Sequence, residues 1–129
     1  MLAKIKRLLR ALDPQYPTPS LEEDEQIIRE GKVIFSINFY GGGRVGRMRL
    51  TNRRFQWYEV SKVSWPFKRI IGEARLADIE SVDKGTLVDF VFGGTRLRLR
   101  LRDGRDKRLI EGDGKLDEWI EAVRSRISA

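Results

Sequence analysis

KVIFSINFYGGGRVGRMRLTNRRFQWY, residues 32–58, decides the fold. Val33, Phe35, Ile37 and Phe39 alternate with Ile34, Ser36 and Asn38, a period of two that marks a half-buried strand. Glycines at 41–43 form a loop, and Met48 and Leu50 then alternate with Arg47 and Arg49. Thr51-Asn52 supplies turn chemistry, and Phe55 and Trp57 open a third strand. Beyond this stretch, Ser61–Pro66 reads as a loop, a fourth strand lies within 67–76, and a short one follows near Ile79–Val82. Lys84-Gly85 turns the chain.

The next signal is local and strong. LVDFVF (87–92), Gly93-Gly94 and TRLRLRLR (95–102) predict a hairpin that sets Phe90 opposite Leu97, Val88 opposite Leu99 and Asp89 opposite Arg98. Asp103-Gly104 marks another turn, and KRLIE (107–111) is the last strand. Leu116, Trp119, Ile120, Val123 and Ile127 then fall on one helical stripe. On the N-terminal side, Ser20-Leu-Glu-Glu23 resembles a capping box and predicts a short helix over 21–29. Pro14, Pro17 and Pro19 predict an extended, semi-rigid linker over 13–20. Before it, Leu2, Ile5, Leu8, Leu9 and Leu12 share one arc of a helix whose other arc carries Lys4, Lys6, Arg7 and Arg10.

An antiparallel meander followed by one amphipathic helix must bury a sheet face and a helix stripe together. The expected class is therefore mainly β with α: a small antiparallel barrel of about seven strands, capped by the C-terminal helix. The expected division is a basic amphipathic helix at 1–12, a linker at 13–20 and a single domain at 21–129.

The chain has 129 residues, 26 Lys and Arg, 19 Asp and Glu, and no Cys or His. Disulfides, thiolate nucleophiles, Cys- or His-based zinc sites and His-based triads are excluded. The remaining carboxylate, Lys, Tyr and Ser/Thr chemistry shows no convergent cluster: the acids at 22–25 are consecutive and would point around a helix axis. The expectation is no enzyme activity, no cofactor and no metal. Apolar runs are too short to span a bilayer, and the start lacks the apolar core of a secretory signal. The expected location is cytoplasmic, peripheral on the inner face of the membrane.

The net charge of +7 understates the local field. Residues 1–12 carry +4, residues 13–30 carry −5 and residues 31–72 carry +8. Blocks of opposite sign favour a charged face over a charged tail.

The order of EGKVIF, GRMRLTNRRFQWY, ARLADIESVDKG and LDEWIEAVRSRI resembles the pleckstrin-homology-like superfold, and within it the bacterial PH and GRAM-like families, from about Glu30 to Ile127. LTNRRF followed by LADIESV is the most specific part of the resemblance. It implies a non-catalytic module that binds lipid headgroups, membrane surfaces or proteins. Lipid-binding members often carry a Lys late in strand one, then Arg-x-Arg on strand two. Arg47-Met48-Arg49 matches the second half, but Asn38-Phe39-Tyr40 stands where the Lys would be. The resemblance then implies a charge-driven contact with anionic headgroups and not a specific phosphoinositide site.

Four sets of residues are candidates for binding. Arg44, Arg47, Arg49, Arg53 and Arg54, with Lys68 and Arg69, form the expected anion-binding region. Arg96, Arg98, Arg100 and Arg102 form a second basic face, a row of roughly 20 Å at strand spacing, which also reads as a solvated face. Trp65 and Phe67, flanked by cations, suit a headgroup region or fold back on the barrel. Leu2, Ile5, Leu8, Leu9 and Leu12 suit a membrane, a partner or a second subunit, or dock on the barrel. The glycines of Gly41-Gly42-Gly43-Arg44-Val45-Gly46 read as a flexible loop or as a backbone anion site beside Arg44 and Arg47; a period-two strand follows, which argues against a dinucleotide loop. Partners are therefore an anionic lipid surface or a protein, with a homo-oligomer through residues 2–12 as the alternative. Nucleic acid is a third reading, drawn from a pI near 10; no aromatic platform for single strands accompanies it.

Overall fold

A computed structural model describes residues 15–37, 43–62, 68–85 and 96–127. The helix expected over 2–12, Gly41-Gly42, Trp65, Phe67 and the LVDFVF segment lie outside the described residues. Seven strands follow in chain order: β1 (Ile27–Ile37), β2 (Gly43–Thr51), β3 (Arg54–Glu59), β4 (Ile71–Arg75), β5 (Ile79–Lys84), β6 (Arg96–Leu101) and β7 (Asp106–Glu111). A 3-10 turn, Leu76–Asp78, joins β4 to β5, and helix α1 (Leu116–Ile127) is the last described element. All pairings are antiparallel, in the order β4-β3-β2-β1-β7-β6-β5. β1 is the hub, pairing with β2 along most of its length and with β7 at Val33 and Ile34. Two register shifts, between Ile27 and Arg29 and between Ile34 and Ser36, let it bend between the two halves of the sheet.

Alternation explains the core. Met48 and Leu50 face inward while Arg47 and Arg49 face outward; Leu97, Leu99 and Leu101 are buried between Arg96, Arg98 and Arg100. α1 lays Leu116, Trp119, Ile120 and Val123 onto this inner face. Trp119 is the largest fully buried side chain among the described residues; its ring meets Phe55 edge-on at 5.8 Å between centroids. Trp57 and Trp119 both belong to the core, as the sequence predicts.

Two expectations change. The sheet is open: no ladder joins β4 to β5, so the barrel does not close. The 3-10 turn bridges these edges covalently, and charged side chains of Glu73, Arg75, Asp78, Arg102, Asp103 and Arg105 line a cavity of ≈ 270 Å³ beside it. Second, residues 21–29 are not helical. Glu22 N–H donates to the Glu25 carboxylate at 2.8 Å, Asp24 has φ 62°, and Ile27 already starts β1. A positive φ cannot continue a right-handed helix, and long-range partners for Glu22 and Glu25 override local capping. The strand expected at 87–92, with its turn at Gly93-Gly94, lies outside the described residues. Within them, Leu97, Leu99 and Arg98 face Lys84, Val82 and Asp83 on β5, and Leu109, Lys107 and Arg108 on β7. Both ladder edges of β6 are occupied, and Gly85 N–H extends the β5 ladder to the Arg96 carbonyl instead of turning away.

Candidate functional site

The strand-two cations do not form one surface. Arg44 is three residues from Arg47 on a regular strand, so the two lie on opposite faces. Arg44 donates to both carboxylate oxygens of buried Glu59 and to the Lys68 carbonyl at 2.6 Å. Burial works against ionisation of Glu59, but Arg44 and the Ile70 N–H (2.7 Å) outweigh it and hold its pKa below the usual carboxylate value. Arg53 is exposed in the turn at the far end of β2 from Arg44, on the order of 25 Å along the strand. Arg47 is half exposed, with one guanidinium nitrogen 3.8 Å from Glu30, and Lys68 is exposed.

Arg49, Arg54 and Arg69 serve a feature that sequence reasoning missed. Residues 15–26 run as a strap across the outer face of β2, β3 and β4. Gln15 bridges Ser61, and Tyr16 N–H donates to the Val60 carbonyl at 2.8 Å. Arg69 then donates to the Pro17 carbonyl (3.0 Å), Arg49 to the Pro19 carbonyl (2.9 Å) and Arg54 to the Ser20 carbonyl (2.9 Å). The strap ends on Glu25, which accepts from Arg54 Nε and Nη2 at 2.9 Å each and from Thr51 Oγ1 at 2.6 Å. Burial opposes the charge of Glu25, yet these bonds and the Glu22 N–H bring its pKa down to about 2. With the core beneath and the strap above, all six residues of β3 are buried. The available sequence signal was RFQWYE itself, whose polar positions have no solvent face once both sides are covered.

The β6 arginines have a different fate. Arg96, Arg98 and Arg100 share the outer face of the β5–β6–β7 half. Across the ladders, Arg98 lies between Asp83 and Arg108, and Arg100 between Ser81 and Asp106. Arg98 forks onto Asp106, with Nε at 2.9 Å and Nη2 at 2.7 Å from Oδ2. That bond lowers the Asp106 pKa, and the charges of Arg98, Arg108 and Arg100 add to the effect. Arg100 and Arg108 are exposed. Arg98, Arg100, Arg105 and Asp106, with Glu80, Leu101 and Gly104, line an open depression of ≈ 270 Å³. Arg102 turns away from this row, donating through Nε to the Ala77 carbonyl at 2.9 Å. Arg108 joins this face because inward Leu109 in KRLIE places its neighbour outward.

Guanidiniums of Arg98, Arg100 and Arg105 thus share one open surface with the carboxylates of Glu80 and Asp106, and Asp83 faces Arg98 across the ladder. Among the described residues, no group of three or more acidic side chains is placed to hold a metal ion. None of their helices is long and apolar enough to cross a membrane.

No family model matches the chain, and no curated protein matches it. Solved structures do. One is the C-terminal domain of an unknown protein from Leishmania infantum, at 9% identity and a TM-score of 0.61, covering 83% of this chain and 88% of that one. At that identity the likeness concerns the fold alone.

Proposed function

We propose that the chain is a non-catalytic, pleckstrin-homology-like binding module that attaches weakly to an anionic membrane surface through the outer face of β5–β7. The carrying observation is the outward row Arg96, Arg98 and Arg100 with Arg108 beside it, set against Asp83 and Asp106 across the ladders and Glu80 in the same depression. Guanidinium binds phosphate in two-point fashion, and a cation near an anionic bilayer contributes about 1 kcal/mol before screening. Seven antiparallel strands followed by a C-terminal helix support the architectural half of the reading. The engagement of Arg44, Arg49, Arg54 and Arg69 within the fold moves the proposed contact away from strand two. A protein with an acidic surface would meet the same face, and lipid vesicles separate the two partners.

The test is charge reversal on two faces. Arg100→Glu with Arg108→Glu lowers affinity for phosphatidylserine-containing vesicles at least about tenfold, while Arg53→Glu with Lys68→Glu has a smaller effect. Equal losses from the two pairs, with both variants folded by circular dichroism, would remove the assignment to β5–β7.

A further inference from the structure

The strap is held in a manner that does not depend on its belonging to the same chain. Tyr16 and Thr18 each precede a proline, which keeps Tyr16-Pro17-Thr18-Pro19 extended. Such a segment makes no hydrogen bonds of its own, so its carbonyls are available to outside donors. Three guanidiniums meet three of them: Arg69 at Pro17, Arg49 at Pro19 and Arg54 at Ser20. The Tyr16 ring lies 4.7 Å from the Arg69 guanidinium carbon and 5.4 Å from Lys62 Nζ. Tyr58 floors the site, 5.6 Å from Arg49 and 5.9 Å from Arg69. Glu22 adds an ion pair with Arg75.

The connection from strap to domain is a tight turn. Glu25 N–H donates to the Glu22 carbonyl at 3.1 Å, and Asp24, its third residue, has φ 62°. Among the described residues Asp24 is the single non-glycine with a positive φ. That conformation suits glycine; opening the turn lets Asp24 relax to extended backbone. Glu25 stays fixed by Arg54 and Thr51 on the domain side of this hinge.

We propose that the outer face of β2–β4 is a groove for an extended, tyrosine-led, proline-interrupted segment, filled in cis by residues 15–22, and that the same segment of a second copy can take its place. The product is a strap-exchanged dimer with the same carbonyl and ring contacts made across two chains. In the closed monomer the strap is presented at an effective concentration in the millimolar range, so the protein is monomeric at micromolar concentration and exchanges when the hinge opens.

Light scattering on the full chain tests this. Asp24→Pro, whose fixed φ near −65° forbids the closed turn, is dimeric where the wild type is monomeric. Adding Tyr16→Ala weakens that dimer at least about tenfold, because each strap loses its ring contact with two cations. Asp24→Gly, which relaxes the closed turn, dimerises about fivefold more weakly than the wild type at about 1 mM. A folded Asp24→Pro monomer overturns the proposal, as does a dimer indifferent to Tyr16→Ala, which would use another surface. If Asp24→Pro does not fold, the wild type against Asp24→Gly decides, and equal dimerisation of the two rejects the exchange.

Discussion

Glu25 ends the strap with a negative charge, and its side chain is fully buried against Arg54 and Thr51. Removing one partner of such a pair leaves the other charge uncompensated. Arg54→Ala is expected to cost about 3–5 kcal/mol in urea unfolding, and Arg54→Ala with Glu25→Ala distinctly less than the two single losses combined. The carboxyl titrates near 2 in the folded chain against an ordinary value of 4.5. Because the folded value is depressed, its contribution, on the order of 3 kcal/mol, is complete above pH 4.5 and is lost as pH falls towards 2. Glu25→Gln lacks this component, so the stability difference between wild type and variant shrinks across that interval; a difference independent of pH would contradict the pairing. Close approach sets a second residue-scale expectation. A Cβ at Gly46 would sit 2.1 Å from the Tyr58 carbonyl oxygen, whereas at Gly31 the nearest atom is a Trp119 ring carbon at 2.9 Å. Gly46→Ala therefore lowers the melting temperature more than Gly31→Ala, since backbone yields less than a ring edge.

Elements whose periodicity is local were legible in the sequence. Met48 and Leu50, Leu97 and Leu99, and the stripe from Leu116 to Val123 each state which side is buried, and each is buried. Elements that depend on distant partners were not. Ser20 to Glu23 carries the letters of a helix cap, but Glu25 answers to Arg54, 29 residues away, and the segment becomes a turn and a strap. Likewise β6 takes β5 and β7 at once as neighbours, a pairing that no local turn signal can reveal. The strand-two cations are dispersed for the same reason. Basic residues adjacent in sequence, such as Arg53 and Arg54, are divided between an exposed turn and the buried clasp under the strap. The helix offers its own prediction. Trp119 touches Phe55 and, by cation–π contact at 5.2 Å, Arg29, so Trp119→Ala costs about 3–5 kcal/mol and detaches α1 from the inner sheet face. Calorimetry that left the transition unmoved would deny α1 this role.

At the scale of the whole molecule, a net charge of +7 is organised into surfaces whose arginines meet different partners. One half of the sheet turns its arginines on a strap of its own chain; the other half presents them outward on β6 and β7. The open seam between β4 and β5 separates these halves. Attachment by such a surface is electrostatic, so it follows ionic strength as the Debye length shortens. Co-sedimentation of the full chain with vesicles containing phosphatidylserine, against phosphatidylcholine alone, over a salt series tests the account most directly. The predicted result is binding to the anionic vesicles at about 0.01 M salt, falling steeply by about 0.15 M, with none to the neutral ones. Equal or negligible binding to both at low salt would contradict it.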